Sequence, residues 1–297
     1  MIDCKSTILI VEDIEINIVI LEELLTNDYE IISVKNAKDA LAKVNELDRI
    51  DLVLLDIGLP DLDGYEVCKR LKANDATKNI PVLFLTASYD EESIEKAFDV
   101  GGIDYLTKPF LIKELKARIK THITLSNSIR KLDFLANIDP MTGIYNRRKF
   151  FHLAEEKFEN EKDDLYAVMI DIDKFKSIND QYGHQVGDMV IKKITSIVKE
   201  NIPENAVFGR LGGEEFALVL NMDGEKELFD LIEKIRDEIF TEDIKADEQI
   251  VKSSISAGIS SYKKEYQNID QFLSDADAAL YDAKGQGRNK TMLRKDR

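Results

Sequence analysis

The sequence predicts an α/β chain in two parts, joined by one long helix. Three observations carry this prediction. Short β-rich apolar runs alternate with helical patterns over the first ~120 residues. A helical seam free of Gly and Pro then covers 112–136. Beyond it, strand-like runs flank a Gly-Gly pair and mix with helices, the signature of an α+β sheet. At roughly 100–200 residues per domain, a chain of 297 residues fits two domains.

In the first part, Ile8–Val11, Leu52–Leu55 and Val82–Leu85 read as strands, with Tyr29–Val34 and Asp104–Leu106 as weaker candidates. Between them, Ile16/Val19/Ile20/Leu24 and Val67/Cys68/Leu71 have helical spacing. Strands alternating with helices imply a parallel sheet covered on both faces. Ligands of such sheets sit beyond the carboxyl ends of the strands. The seam Ile112, Leu115, Ile119, His122, Leu125, Ile129, Leu132 and Ala136 is spaced 3-4-3-3-4-3-4. That spacing is heptad-like with one break, and it predicts a parallel dimer stalk rather than a helix packed only on its own domain. His122 reads as a packed or solvated residue, with a titrating switch as the other possibility. In the last part, Leu165–Ile172, Ala206–Leu211, Phe216–Leu220 and Ile255–Ser260 read as strands. Gly187–Val198, Leu228–Ile239 and Ile269–Ala283 read as helices, and Gly212-Gly213 as a two-residue hairpin turn. The expected organisation is a domain over 1–122, a helical linker and coiled-coil seam over 112–138, and a second domain over 139–297.

Charge and composition exclude several classes. The net charge is −16, with 15 basic against 24 acidic residues up to position 120 and 26 against 33 after it. Neither half is a basic nucleic-acid binder, because phosphate contacts need clustered Lys and Arg. No run approaches the ~18 apolar residues of a membrane span, and the first residues lack a signal-peptide layout. Cys4 and Cys68 form no metal spacing and read as reduced structural thiols, so a cytoplasmic protein is expected.

Glu12, Asp13 and Asp56 each follow or end a predicted strand. If those strands are neighbours, three carboxylates converge and repel unless a cation joins them. Oxygen-only ligands suit Mg²⁺. Lys108, before Pro109, adds a cation and Thr86 a hydroxyl. The segments Val11-Glu12-Asp13, Leu55-Asp56, Leu85-Thr86-Ala87 and Tyr105-Leu106-Thr107-Lys108-Pro109-Phe110 resemble the receiver domain of two-component response regulators. The resemblance implies a flavodoxin-like, five-stranded parallel sheet with Asp56 as phosphoacceptor. It also implies one Mg²⁺ held by Glu12, Asp13, Asp56 and the Gly58 carbonyl. Lys108 would pair with the phosphoryl group, Thr86 and Tyr105 would switch, and a histidine kinase would act upstream. Phosphorylation adds charge and three strong acceptors, which biases a two-state surface.

In the second part, Asp171 and Asp173 close one strand, and Glu214 and Glu215 follow Gly212-Gly213. If the hairpin lies beside that strand, Asp171 and Glu214 form a second oxygen cage. The glycines permit positive φ and let a phosphate approach the backbone. No Gly-Lys-Ser/Thr follows, so this is not a Walker loop. A lone Gly-Gly-Glu-Glu is most often just a turn. Here it accompanies Asp139-Pro140-Met141-Thr142-Gly143, Asp171-Ile172-Asp173-Lys174-Phe175-Lys176-Ser177-Ile178-Asn179-Asp180, Tyr182-Gly183-His184, Gly187-Asp188 and Lys284-Gly285-Gln286-Gly287-Arg288-Asn289. Together these resemble the GGDEF domain of diguanylate cyclases, in its Gly-Gly-Glu-Glu-Phe variant, over residues ~137–294.

That resemblance implies a palm-like mixed sheet and a reaction condensing two GTP into cyclic di-GMP and two pyrophosphate. Two Mg²⁺ ions would be held by Asp171, the Ile172 carbonyl and Glu214. Glu214 or Glu215 would help deprotonate the attacking hydroxyl. Asn179 and Asp188 would read guanine, with His184 nearby. Lys176, Lys284 and Arg288 would counter the triphosphate, and Gly212 and Gly213 would give it room. Each domain holds one GTP, so a homodimer is implied, with no nucleic acid or membrane as partner. Many such enzymes carry an Arg-x-x-Asp product site nine residues ahead of the hairpin. Here that stretch is Pro203-Glu204-Asn205-Ala206, so weak product inhibition is expected, with Arg236 as one other possible contact. Two other readings stay open on sequence: a degenerate domain that only binds GTP or a protein, and an ATP-using enzyme on a related sheet.

Overall fold

The computed structural model describes residues 5–47, 49–87, 90–246 and 249–294. Cys4 lies outside them. The chain divides into two compact units, Met1–Lys131 and Leu132–Arg297. Among the described residues no helix is long and apolar enough to cross a membrane.

The first unit runs β1 (Thr7–Val11), α1 (Glu15–Leu25), β2 (Glu30–Val34), α2 (Ala37–Glu46), β3 (Leu52–Asp56), α3 (Gly64–Ala73), β4 (Val82–Thr86), α4 (Glu91–Asp99), β5 (Asp104–Thr107) and α5 (Ile112–Asn137). The sheet order is β2-β1-β3-β4-β5, and every pairing is parallel. β1, β3 and β4 are apolar throughout because both faces are covered. Ile8, Ile10, Leu52, Leu54, Leu83 and Leu85 pack under α1 and α5. Leu9, Val11, Val53, Leu55 and Phe84 pack under α2, α3 and α4. The strand order reverses between β1 and β3, so the ends of these two strands flank the crevice where this topology binds ligands.

Helix α5 splits the predicted seam in two. Leu115, Ile119 and Ile123 are buried against the first unit's own sheet. His122 is engaged too, its Nε2 lying 2.9 Å from Asp104 Oδ2, so it packs on its own domain. Further along, Leu125, Ile129 and Leu132 are 56%, 57% and 67% exposed, an apolar stripe without cover in a single chain. Ile112, at the start of the seam, is also exposed.

The second unit continues with β6 (Tyr145–Asn146), α6 (Arg147–Asn160), β7 (Leu165–Ile172), α7 (Phe175–Tyr182), α8 (His184–Asn201), β8 (Val207–Gly212), β9 (Glu215–Asn221), α9 (Glu225–Thr241), β10 (Ile244–Ala246), β11 (Gln249–Val251), β12 (Ile255–Ser261), α10 (Ile269–Gly285) and β13 (Thr291–Leu293). Its main sheet has the order β13-β12-β7-β9-β8-β6. The pairings of β7 with β12 and β9, and of β8 with β9, are antiparallel. Those of β12 with β13 and β6 with β8 are parallel. Alternate residues of β7 serve two cores. Tyr166, Val168, Ile170 and Ile172 meet α7, α8 and α9, while Leu165, Ala167 and Met169 meet α6 and α10. The main sheet is therefore mixed and covered on both sides, as an α+β architecture requires.

The hairpin turn lies one residue later than the sequence predicts. Gly212 pairs with Glu215 after an irregularity in β8, so Gly213 and Glu214 are the two turn residues. Gly213 has φ +50°, the left-handed geometry that glycine adopts at no steric cost.

Two acidic candidate sites at strand ends

In the first unit, Glu12 and Asp13 follow β1 and Asp56 ends β3. Neighbouring parallel strands bring them together: one oxygen from each lies within 4.8 Å of the others. Glu12 is fully buried and Asp56 is 7% exposed. The Lys108 ammonium answers them, 2.7 Å from Glu12 Oε2 and 3.1 Å from Asp56 Oδ1. Asn17 Nδ2 donates to the other Glu12 oxygen at 2.8 Å. Burial raises the Asp56 pKa. Lys108 works against that shift, and Glu12 and Asp13 add to it. A Cβ built on Gly58 would come 4.0 Å from Asp56 Oδ2, so Gly58 borders the same pocket. Thr86 ends β4 and is buried. Tyr105, on β5, is half-buried with its ring edge-on to Phe98. Next to it, Asp104 takes two hydrogen bonds from Arg118 and one from the Tyr105 N–H. Three oxygen donors around one point, with a lysine to balance them, match the chemistry of a hard divalent cation.

In the second unit, Asp171 lies near the end of β7, 6% exposed, directly opposite Glu215 on β9. Like charges at directly opposed positions are unfavourable, so this end of the sheet carries a cost that its packing does not require. Glu214 sits in the turn, and its carbonyl accepts from the Ile172 N–H at 3.3 Å. Lys284, from the last turn of α10, places its Nζ 2.8 Å from Asp171 Oδ2. Burial raises the Asp171 pKa. Lys284 opposes the rise, and Glu214 and Glu215 reinforce it. A Cβ on Gly212 or Gly213 would meet nothing within 4 Å, so the turn borders open space. The Asp171 and Glu214 carboxylates at this strand end offer oxygen donors of the kind that suit Mg²⁺.

The turn is held from behind. Arg210 donates twice to the Gly213 carbonyl, at 2.9 and 2.7 Å, and to Asp139 Oδ1 at 3.2 Å. Asp139 also accepts from the Thr142 N–H and hydroxyl. The sequence shows Asp139 as a motif member, but not that the Arg210 guanidinium ties it to the hairpin. Asp173 differs from Asp171. It is 6% exposed and accepts three hydrogen bonds, from Ser254, Ser256 and the Asn289 N–H.

Helices α7 and α8 bring Asn179 against Gly187, the residue before Asp188. Asn179 Oδ1 is buried without a hydrogen-bond partner. A Cβ on Gly187 would fall 1.9 Å from that oxygen, so only glycine leaves room for the amide. Asp188 is half-buried on the next residue, while His184, Lys176 and Arg288 are exposed. Arg236 is not a free surface cation. Its side chain is 13% exposed and bonded to Glu233, Asp237 and Asn289. Pro203, Glu204 and Ala206 line a pocket of about 440 Å³ with Ile138, Ile144, Tyr145 and Phe208. The Cys68 thiol is buried, and burial pushes its pKa up to about 11, as for an inert structural cysteine.

Residues 136–290 match the family described as diguanylate cyclase, GGDEF domain, and residues 8–120 match the response regulator receiver domain. The chain belongs to the GGDEF diguanylate cyclase family, and a receiver domain precedes its GGDEF domain. It is 30% identical over 262 residues to the response regulator PleD of Caulobacter vibrioides, across 84% of this chain and 57% of that protein. It is 36% identical to a diguanylate cyclase of Vibrio cholerae, across 70% of this chain and 68% of the relative. A solved structure of the coiled coil and GGDEF domain of DgcB from Caulobacter crescentus, in complex with c-di-GMP, aligns at TM-score 0.55 and 25% identity. That alignment covers 60% of this chain and 98% of DgcB's. The chain thus spans a little over half the length of PleD.

Replacing Lys108 by Met would leave Glu12 and Asp56 buried without their cation. Stability is expected to fall by roughly 3 kcal/mol at pH 7 in chelator. The loss should shrink as pH drops, because the stranded carboxylates are relieved by taking up protons. Denaturant unfolding at pH 7 and pH 5 checks this, and an equal or larger loss at pH 5 contradicts it.

Proposed function

We propose that this chain is a phosphorylation-regulated diguanylate cyclase that condenses two GTP into cyclic di-GMP and two pyrophosphate. One observation carries the reading. The buried Asp171 faces Glu214 and Glu215 at a glycine turn that opens onto free space. An acidic strand end of this kind suits chemistry on a phosphate.

Each feature of the site then takes a role. Asn179 offers an unsatisfied acceptor and Asp188 a carboxylate, which together match guanine's N1–H and exocyclic amine. Adenine lacks that donor pair and would leave a buried acceptor unpaired. Lys284, Lys176 and Arg288 offset the triphosphate charge. The 3′-hydroxyl of one GTP attacks the α-phosphorus of the other. The new oxygen–phosphorus bond forms as the bond to the β-phosphate oxygen breaks, and pyrophosphate leaves. The hydroxyl proton passes to Glu214 or Glu215. Mg²⁺ held by Asp171, the Ile172 carbonyl and Glu214 would supply charge stabilisation for the attacking and leaving oxygens. Since each domain holds one GTP, two chains must face each other, and orientation becomes the main catalytic demand.

The exposed stripe Leu125, Ile129, Leu132 fits a helix-to-helix contact between two such chains. Phosphorylation of Asp56 by an upstream histidine kinase would bias that contact through Lys108, Thr86 and Tyr105. Glu12, Asp13 and the Gly58 carbonyl would hold the receiver's Mg²⁺. The reading places the chain in the cytoplasm. With Pro203 and Ala206 where an Arg and an Asp would clamp product, and Arg236 already engaged, cyclic di-GMP should inhibit weakly and competitively.

Glu214→Gln is expected to lower cyclic di-GMP formation from Mg-GTP by about a hundredfold while the fold survives. Activity near wild type would refute the assignment. Gly187→Ala is expected to displace the Asn179 amide and raise the KM for GTP by about tenfold. An unchanged KM and an unchanged preference for GTP over ATP would show that Asn179 does not read the base.

A further inference from the structure

Three successive residues after α10 have left-handed backbone: Gly287, Arg288 and Asn289, with φ of 108°, 65° and 46°. Two of them are not glycine, and such conformations persist only where their surroundings enforce them. The enforcing contacts are specific. The Asn289 N–H donates to Asp173 Oδ2 at 2.9 Å. Asp173 is fixed in turn by the Ser254 and Ser256 hydroxyls at 2.7 and 2.6 Å. From the other side, Arg236 Nη1 donates to Asn289 Oδ1 at 3.0 Å. Arg236 is set by Glu233 and Asp237, and Glu233 also accepts from the Thr291 N–H at 3.1 Å. The loop carrying Arg288 is therefore clamped between β7 and α9, while the Arg288 side chain itself stays exposed.

We propose that Arg236 is a positioning residue that acts through Asn289 to fix the left-handed turn presenting Arg288 to the phosphate end of GTP. Asp173 is the second anchor of that turn and not a metal ligand. The inference rests on the cyclase reading above, which assigns Arg288 to the triphosphate. It explains why a nearly buried arginine on α9 bonds Asn289. It also explains why the second acid of Asp171-Ile172-Asp173 accepts three hydrogen bonds.

The test is steady-state kinetics on the full chain, with pyrophosphate and guanosine as inhibitors. Arg236→Gln is expected to raise both the KM for GTP and the Ki of pyrophosphate by about tenfold. The Ki of guanosine should stay within about twofold, because the base-reading pair on α7 and α8 is untouched. Asn289→Gly keeps a backbone that favours positive φ but loses the Arg236 bond, so it should reproduce the shift even if Arg236→Gln folds poorly. In an Arg288→Ala background, Arg236→Gln should add nothing to the Ki of pyrophosphate. Additive effects, or equal losses for guanosine and pyrophosphate, overturn the positioning role. If Arg288→Ala alone leaves both phosphate-dependent constants unchanged, the assignment of Arg288 falls, and the inference with it.

Discussion

A buried carboxylate at a strand end is answered by a lysine in each unit, and the rest of each site is arranged around that pair. Asp56 ends β3 and meets Lys108 at 3.1 Å, while Asp171 near the end of β7 meets Lys284 at 2.8 Å. In each case burial is the largest cause of a raised carboxylate pKa, and the lysine does not cancel it. Breaking either pair would strand a buried charge, at a cost of roughly 3–5 kcal/mol. The sheets can carry these groups because their strands are apolar elsewhere, and because the strand ends open on loops rather than on packed helices. A surplus of buried negative oxygen is also what a divalent cation requires, so one feature strains the fold and provides the chemistry.

Helix α5 is governed by a similar pairing at the opposite end of the strands, just before β3. Asp51 is fully buried and accepts from the Thr7 N–H, from Arg49 Nε and from Arg130 Nη1. Burial alone would raise its pKa, but the bonds to Arg130, Thr7 and Arg49 outweigh it and the net shift is downward. Arg130 therefore holds α5 in place one residue beyond the exposed Ile129. In the second unit, Asn146 and Arg148 both donate to the Ala136 carbonyl, at 2.9 and 2.6 Å, capping the last turn of the same helix. Each unit thus holds its own part of the helix, and Leu132 leaves its apolar side chain exposed.

Much of this was legible in the sequence because apolar runs without interruption leave few choices. Leu165–Ile172 was predicted as a strand and is found with those bounds, and the five parallel strands of the first sheet shift by at most a residue or two at their ends. What escaped is equally physical. Helix α6 carries no clear sequence signal, since it begins at Arg147 and buries Phe150, Ala154 and Phe158 among charged residues that hide the period. The hairpin slipped by one residue because a β8 irregularity near Arg210 is invisible to a turn rule. The seam spacing predicts one interface, whereas Leu115 and Ile119 pack in the local core and Leu125, Ile129 and Leu132 are exposed. Spacing alone cannot separate these, because a helix packed on a sheet and a coiled coil both repeat every three to four residues. The contacts that hold the second site, Arg210 on the turn and Asp173 on the Arg288 loop, join residues far apart in sequence and leave no local pattern.

The claim on which the account most depends is that the receiver controls the cyclase by setting how two chains meet. Cyclic di-GMP formation and molecular mass, measured on the same samples with and without beryllofluoride, test it most directly. Wild-type chain treated with beryllofluoride should show the mass of a dimer and a higher rate per chain, and Asp56→Asn should show no increase in rate. A rate that is unaffected by beryllofluoride, or that rises equally in Asp56→Asn, would contradict the account.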